Sequence, residues 1–385
     1  MAHKKEKLVN LAKRLLNHNL KGSTDQADGI MVKPVSDYIN EDLIKTEVSK
    51  IFYDHPVPIA LSPELKEINS YKATKAIDTP VLVTRDKDGI VRAFINICKH
   101  RGAPVCPEGS GTKSRFNCMY HGWMYDNTGQ LINIFKSDTF GDIDTTKIKL
   151  TELFCEERSG FIWVCLNPDI KYNLDEWMNG FDSELDDIDL KNWHLFRSIK
   201  LNGPRWKICW DGYLDGYHHH MVHPETVGKN TIVNLIAHDT FGPHQRFAFG
   251  LKNINELSDI EERDWEPENH LRLIHSVFPN SSISAIQNQH CLVSIVFPTP
   301  DLQGTITSQY ILCLKEPKTN QQIKEAEEFA KLALVSIEDE DYPMNFMIQD
   351  TINSKANTEF MFGKNEPIQQ HYHNWIDKLT KKNIL

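Results

Sequence analysis

The sequence contains no long hydrophobic run, although it is 385 residues long. Its longest uninterrupted apolar segment is the six residues from Phe161 to Leu166, whereas a helix that crosses a bilayer needs about 20. The N-terminal segment is basic and amphipathic, and it has neither the continuous apolar stretch nor the small-residue cleavage site of a signal peptide. We therefore expect a cytoplasmic protein that does not contact a membrane.

Basic residues are fewer than acidic ones. The chain has 43 basic and 53 acidic side chains, for a formal net charge of −10. Because affinity for nucleic acids comes mostly from lysine and arginine, this balance excludes a general nucleic-acid binder. A glycine-rich nucleotide-binding motif after a strand is missing as well, so we expect no nicotinamide or flavin site in this chain.

Cysteine is scarce, whereas histidine is abundant. Eight cysteines in a chain of this length, without a signal peptide, do not form the pattern of a disulfide framework. The 17 histidines are more than an ordinary globular domain needs. Together, the two residue types indicate that the chain binds metal.

Hydrophobic patterning divides the chain into three parts. Residues 1–44 begin with a helical apolar period over 1–20 and continue as a polar loop over 21–35. Residues 45–170 are a series of short strands and turns, and residues 171–385 mix helices with strands. We predict an α+β protein in which an all-β domain is followed by a mixed domain, and in which the N-terminal segment packs on the mixed domain.

Individual elements can be predicted inside these parts. Turns with glycine in a positive-φ position are expected at Asp86–Gly89 and Asp126–Gly129. Hydrophobic periodicity predicts helices over 205–222, 320–338 and 366–380. It predicts strands over 291–297 and 305–314.

The first candidate metal site combines two short Cys/His pairs, Cys98 with His100 and Cys118 with His121. Thiolates and imidazoles in this number suit zinc equally well on chemistry alone. However, both pairs follow strand-like segments, whereas zinc fingers place one pair on a helix. The spacing C-x-H-x₁₇-C-x₂-H therefore favours a site at the tips of β loops.

The second candidate site is a cluster of four histidines within residues 218–223. On a regular helix His219 and His223 share a face, whereas His218 and His223 are about 140° apart. Pro224 disfavours the helical conformation at His223, so the helix is expected to end there and the ring can turn back. The residues alone leave both pairs open.

The first motif, followed by Gly122-Trp123, resembles the [2Fe–2S] site of Rieske proteins. The resemblance implies that Cys98 and Cys118 hold one iron and that His100 and His121 hold the other. Cys106 matches one extra cysteine of the respiratory Rieske proteins, but Tyr120 stands where its disulfide partner would be. The pattern is thus of the oxygenase type, with Met119 in place of the usual proline.

The second motif, Asp215-x₂-His218-x₄-His223-Pro224, is similar to the catalytic motif of Rieske non-heme iron oxygenases, the ring-hydroxylating alpha subunits. The resemblance implies that His218, His223 and a later carboxylate bind a mononuclear Fe(II). It assigns Asp215 a role in catalysis, as the bridge to the cluster histidine of a neighbouring subunit, His121. His219 and His220 are then interpreted as neighbours of the site or surface residues.

The third iron ligand is expected in the acidic segment that follows the second predicted helix. Asp341, preceded by Glu340 and followed by Gln349, fits the register of the family. The family often has a glutamate where this chain has Phe346, so Asp339 and Asp350 stay alternatives.

The resemblance implies the terminal oxygenase component of a multicomponent system, with a Rieske [2Fe–2S] domain over 45–170 and a catalytic domain of helix-grip (START-like) type over 171–385. Electrons would come from NAD(P)H through a ferredoxin or flavin reductase, and O₂ would be used to hydroxylate or oxidatively demethylate an aromatic or small organic substrate. A homotrimer is expected, either alone or together with a beta subunit. The alternatives are a quaternary-ammonium (choline- or betaine-like) monooxygenase of the same family and a non-enzymatic Rieske electron carrier.

The substrate itself is weakly encoded. Six apolar residues are candidates for a substrate pocket or for ordinary core positions: Leu235, Phe247, Phe249, Phe278, Ile286 and Phe297.

Overall fold

Strands are short in the first half of the chain and long in the second half. The computed structural model describes residues 2–287 and 289–380. These form two compact units. The β unit comprises Ser49–Glu176 and Ile188–Asn192, and the mixed unit comprises the residues up to Val48, Trp177–Asp187 and the residues from Trp193 onward.

The strands are bounded as follows: β1 Met31–Pro34, β2 Val57–Leu61, β3 Ser70–Ala76, β4 Thr79–Arg85, β5 Val91–Ile95, β6 Gly109–Thr112, β7 Arg115–Asn117, β8 Met124–Asp126, β9 Leu131–Asn133, β10 Glu152–Leu153, β11 Cys155–Arg158, β12 Phe161–Val164, β13 His194–Gly203, β14 Thr231–Phe241, β15 His244–Leu251, β16 Leu271–Val277, β17 Ser281–Gln287, β18 His290–Pro298, β19 Thr305–Cys313 and β20 Glu359–Phe362.

The α-helices are bounded as follows: α1 Ala2–Lys21, α2 Ser36–Ile39, α3 Glu41–Glu47, α4 Ser137–Phe140, α5 Leu174–Met178, α6 Asp182–Asp186, α7 Trp206–Leu214, α8 His219–Val222, α9 Asn320–Leu334, α10 Tyr342–Thr351 and α11 Pro367–Thr380. In the described part of the chain, no helix has both the length and the apolar character that crossing a membrane requires.

The β unit consists of three small antiparallel sheets, in the orders β10-β5-β4-β3-β6, β11-β12-β2 and β7-β8-β9. Both predicted turns are present, since Gly89 has φ 80° and Gly129 has φ 79°. A Cβ at position 129 would lie 2.5 Å from the Phe94 ring, so only glycine fits there. Phe94 belongs to the buried core beneath the Cys98 and Cys118 loops.

The mixed unit is built on a seven-stranded antiparallel sheet in the order β13-β19-β18-β17-β16-β15-β14. Strands β14 to β19 form a meander, and β13 pairs with β19. Successive side chains of β15 point to opposite faces of the sheet. Ala248 packs in one cluster with Leu11 of α1, whereas the next residue, Phe249, contacts the His219 ring of α8. The second face therefore carries the histidine cluster, and the predicted α+β architecture with an antiparallel sheet and helices is confirmed.

Two predicted elements were wrong in detail. The polar segment over 21–35 contains β1, which pairs with β20. The helix over 205–222 is interrupted, because α7 ends at Leu214 and Asp215 is extended, with φ −89° and ψ 123°. The Asp215 side chain accepts a hydrogen bond from the Tyr217 backbone N–H at 2.6 Å, a local bond that competes with the helix. The domain boundaries at 44/45 and 170/171 remain predictions.

Candidate metal centres

Two loops of the same construction carry the Cys/His pairs of the β unit. Each begins with a buried cysteine that follows a strand, Cys98 after β5 and Cys118 after β7. In the first loop the Gly102 N–H donates to the Cys98 carbonyl at 2.9 Å, and in the second the Gly122 N–H donates to the Cys118 carbonyl at 2.9 Å. Gly102 and Gly122 have φ 76° and 68°, which allows both chains to turn back at the same point.

The two loops bring their histidines together. The ring centroids of His100 and His121 are 4.5 Å apart, and His100 stacks on Trp123 at 5.0 Å. His100 Nδ1 is buried and has no hydrogen-bond partner among the described residues. A buried ring nitrogen without a partner is costly unless something else binds it, and two cysteines with two histidines are the donor set of a Rieske cluster. The residues present therefore fit a [2Fe–2S] cluster.

Cys98 and its loop also form contacts with the core of the β unit. The Tyr125 hydroxyl lies 3.4 Å from Cys98 Sγ and accepts a hydrogen bond from the Lys99 N–H at 3.0 Å. Burial raises the pKa of the Cys98 thiol. A bound metal cation would offset that cost by stabilising the thiolate.

The mixed unit brings three donor atoms together. His218 Nε2 and His223 Nε2 are 3.1 Å apart, and Asp341 Oδ1 lies 3.3 Å from the first and 2.9 Å from the second. Three cis ligands on an octahedral ion with bonds of about 2.1 Å are about 3.0 Å apart, whereas tetrahedral ligands would be about 3.4 Å apart. The triangle thus fits a two-histidine, one-carboxylate face.

His223 reaches this triangle because the chain leaves the helix there. Helix α8 ends at Val222, and His223 has φ −117° and ψ 46°, as the proline at 224 predicts. Gly228 packs against this turn so closely that a Cβ would lie 2.1 Å from the His219 carbonyl oxygen. The absence of a side chain at 228 is therefore a requirement of the site.

Asp341 is delivered by a π-helical turn, Val335–Asp341, in which the Tyr342 N–H donates to the Ile337 carbonyl. Such wide turns inside helices are frequent at functional sites. The two alternative carboxylates, Asp339 and Asp350, are exposed and lie outside the group formed by His218, His223 and Asp341.

Two further carboxylates determine which ring nitrogen of each histidine faces the triangle. His218 Nδ1 lies 3.0 Å from Asp215 Oδ2, and His223 Nδ1 lies 2.7 Å from Glu340 Oε2. When the Nδ1 atoms donate to these carboxylates, both Nε2 atoms are left free to bind a metal. Glu340 also accepts from the Thr226 hydroxyl at 2.6 Å. The sequence placed Glu340 among the candidate acids of its segment but did not indicate this role.

Replacement of Glu340 by glutamine is expected to weaken the mononuclear metal about 10- to 100-fold, because partners of metal-binding histidines typically contribute that much. The amide oxygen still accepts from His223, but the negative charge that makes the ring a stronger ligand is lost. Iron titration of the apoprotein measures the effect, and Glu338→Gln, an exposed neighbour, is the matched control. Equal affinity in both variants would show that Glu340 only packs.

The electrostatics of the triangle favour a cation. Burial by itself lowers the pKa of His218, but hydrogen bonds to Asp215 and Asp341 raise it to about 9. The Asp341 carboxyl, although burial raises its pKa, is held below its ordinary value by the two histidines. Burial, followed by the charges of its neighbours, lowers the pKa of His219 to about 3, so this ring stays neutral.

The triangle forms part of the wall of a cavity of about 250 Å³. Its apolar lining includes Phe249, Leu251, Ile274, Leu292, Phe329 and Leu332. Of the six apolar candidates predicted from the sequence, Phe249 lines this cavity, whereas Leu235, Phe247 and Phe278 are buried core residues. His219 is buried and lines the cavity, and His220 is exposed and bonds the Thr231 carbonyl.

Comparison with known proteins finds a matching family domain around each of the two candidate sites. Residues 55–145 match the Rieske [2Fe-2S] domain, and residues 190–382 match the catalytic domain of the ring-hydroxylating alpha subunit. The chain is 29% identical over 188 residues to chlorobenzene dioxygenase subunit alpha of Cupriavidus sp. (strain PS12), with 46% of this chain and 41% of that protein covered. It is 31% identical over 191 residues to choline monooxygenase of Spinacia oleracea, with 48% and 43% covered.

A third relative is the carnitine monooxygenase oxygenase subunit of Escherichia coli (strain K12), with 25% identity over 194 residues and 50% and 52% coverage. The chain thus spans about half the length of the curated relatives it matches. Among solved structures, a quaternary ammonium Rieske monooxygenase in complex with L-carnitine has a TM-score of 0.76 at 20% identity, with 92% of this chain and 96% of that chain covered.

Naphthalene 1,2-dioxygenase from Rhodococcus sp. has a TM-score of 0.74 at 19% identity, with 98% and 99% covered. At these identities the structural matches establish the fold. The family matches cover both the cluster loops and the triangle, and the chain therefore belongs to the Rieske ring-hydroxylating oxygenase alpha subunits.

Proposed function

We propose that the protein is the terminal oxygenase of a multicomponent Rieske system, which uses O₂ and electrons from a separate reductase to hydroxylate or oxidatively demethylate an organic substrate. The observation that carries this proposal is the triangle of His218, His223 and Asp341 in the wall of an apolar cavity. Three protein ligands on one face leave positions open for other molecules, which is the arrangement of iron oxygenases.

In this proposal Cys98, His100, Cys118 and His121 hold the [2Fe–2S] cluster, and His218, His223 and Asp341 hold Fe(II). When bound, the cluster supplies single electrons and the iron supplies the redox chemistry of O₂. The protein's own contribution is to orient the ligands and exclude water. Asp215 and Glu340 orient the two imidazoles, and the apolar lining keeps bulk solvent away from the bound substrate.

A non-enzymatic electron carrier would need only the β unit. The triangle and its cavity would then be unused, although their three ligands and apolar lining come from five separate segments of the mixed unit. This contrast favours the oxygenase.

Electron entry is proposed to run between subunits of a homotrimer, from His121 of one copy to Asp215 of the next. Asp215 lines a surface pocket together with the exposed apolar side chains of Met361, at 75% exposure, Met344 and Ile348. In the β unit, the loop tips beside His121 carry Met119 at 75% exposure, Tyr120 and Phe135. Exposed apolar side chains around Asp215 and beside His121 support the proposal that each of these surfaces contacts another chain.

The proposal implies a ferredoxin or flavin reductase that transfers electrons from NAD(P)H, and it implies a cytoplasmic location. It includes a homotrimer either with or without a beta subunit. The names of the relatives cover aromatic compounds such as chlorobenzene as well as choline and carnitine. Both an aromatic and a quaternary-ammonium substrate are therefore compatible with family membership.

Metal analysis tests the proposal. Protein produced with iron and sulfide is expected to contain about three irons per chain and to give a Rieske EPR signal when reduced. With a surrogate reductase and NADH, a panel of aromatic and quaternary-ammonium compounds is expected to include one that stimulates O₂ uptake. Zinc at either centre, or only about two irons in fully loaded protein, would contradict the oxygenase assignment.

A further inference from the structure

The cavity beside the triangle contains one permanent cation, Arg272. Among the described residues that line this cavity, the other charged groups belong to the triangle and to Asp215. Arg272 lies on β16, directly opposite Phe249 of β15. Phe249 in turn contacts the His219 ring, with centroids 4.8 Å apart. Arg272 thus lines the same pocket as the candidate iron ligands.

No acidic side chain in the described part of the chain pairs with Arg272. Its hydrogen bonds go to the backbone carbonyls of Glu268 at 3.3 Å and Leu271 at 3.1 Å, and both use Nη1. Nη2 and Nε have no partner among the described residues. Burial alone lowers the pKa of this guanidinium, with no carboxylate acting in the other direction.

Two other half-buried arginines of the mixed unit, Arg246 and Arg14, are paired with carboxylates. Arg246 bonds Glu184 and Asp239, and Arg14 bonds Asp25 and Asp239. Burying a charge is costly unless a partner compensates for it. An arginine that faces an apolar cavity without such a partner is therefore suited to an anion that arrives with a ligand.

A hydroxyl donor lies on the same face of the sheet. Ser284 of β17 lines the cavity opposite Leu292 of β18 and has no side-chain hydrogen bond to any described residue. Between Arg272 and Ser284 the lining is apolar, with Ile274 next on β16. The pocket thus combines donors for an anion with a hydrophobic wall for an uncharged body.

We propose that Arg272 binds the carboxylate of the substrate and that this oxygenase acts on organic acids with an apolar body. The proposal rests on the oxygenase function proposed above. The guanidinium offers two unpaired N–H directions, which suits the planar, two-oxygen geometry of a carboxylate. Its charge opposes an ammonium group at the same point, so a simple quaternary amine is disfavoured at this end of the cavity.

Binding measurements with the iron-loaded protein test the assignment without turnover. The probes are benzoate, cinnamate and hexanoate, each compared with its primary amide, together with benzyltrimethylammonium. At least one acid is expected to bind about 10- to 100-fold more tightly than its amide, as measured by titration calorimetry. Arg272→Met, which keeps an apolar stem of similar length, is expected to abolish that preference by weakening the acid far more than the amide, because only the acid loses a charge-assisted hydrogen bond. Arg272→Lys is expected to restore part of it.

Arg263→Met is the matched control, because Arg263 is an exposed arginine, 82% accessible and paired with Asp264. The proposal is overturned if no acid is preferred over its amide, if benzyltrimethylammonium binds more tightly than the acids, or if Arg272→Met keeps the preference. Iron content and the EPR signal are measured on the same samples. Loss of metal in the wild type would refute the oxygenase function, whereas full metal content without acid preference would refute only the role of Arg272.

Discussion

Replacement of Asp341 by alanine is expected to remove the mononuclear iron and to leave the cluster in place. Asp341 supplies the one carboxylate oxygen of the triangle, 2.9 Å from His223 Nε2 and 3.3 Å from His218 Nε2. Without it, two neutral imidazoles remain. The affinity for Fe(II) is expected to fall by more than about 100-fold, because losing a ligand costs more than losing a residue that only hydrogen-bonds to a ligand. Substrate-dependent O₂ uptake is expected to fall to background.

The measurement is iron content together with the EPR signal of the reduced cluster. The expected result is a loss of about one iron per chain with an unchanged cluster signal, because Asp341 and the cluster loops belong to different units. Asp339→Ala and Asp350→Ala are matched controls, since both residues are exposed acids of the same region. Full iron retention in the Asp341 variant, with loss in either control variant, would assign the third ligand to that control residue.

The candidate ligands could be selected from the sequence because each lies in a short motif with a local physical constraint. Cys98 and Cys118 each follow a short strand, and the N–H of a glycine four residues later donates to the cysteine carbonyl. This hydrogen bond closes each loop, so residues that are close in the sequence are also close in the structure. His223 could be separated from the regular helix because Pro224 acts on the residue directly before it. Asp341 depended on the resemblance, because its placement requires a π-helical turn that hydrophobic periodicity does not indicate.

The residues that the sequence did not indicate depend on long-range pairing. Arg272 faces the cavity because β16 pairs with β15 in a register that places it opposite Phe249, and no local pattern encodes that register. The interruption between α7 and α8 was missed for a related reason. A hydrogen bond from the Tyr217 N–H to the Asp215 carboxylate, together with the tight packing of Gly216 against Phe249, replaces the expected helical turn. A long-range contact with Phe249 thus contributes to both outcomes, and a local hydrogen bond adds to it in the second.

In protein saturated with Fe(II), replacement of Asp215 by asparagine is expected to leave both metal centres occupied, with the mononuclear iron bound more weakly as in Glu340→Gln, and to stop electrons from passing between them. Oδ2 of Asp215 lies 3.0 Å from His218 Nδ1, and Oδ1 accepts from the Tyr217 N–H. The amide oxygen of asparagine can still accept from His218 Nδ1, so the ring keeps its orientation. Its NH₂ group cannot accept a second hydrogen bond, so the link to a neighbouring histidine, His121 in our proposal, is lost.

Rapid-mixing measurements on the reduced protein separate this role from simple positioning. In the wild type, addition of O₂ and substrate is expected to reoxidise the cluster, and in Asp215→Asn the rate is expected to fall at least about 100-fold, at the upper end for lost partners of metal ligands. Asp339→Asn, at an exposed acid, is the control. If Asp215→Asn loses iron, the residue mainly positions His218. If it keeps iron and reoxidises at the normal rate, electrons do not pass through Asp215, and the proposed route between subunits is wrong.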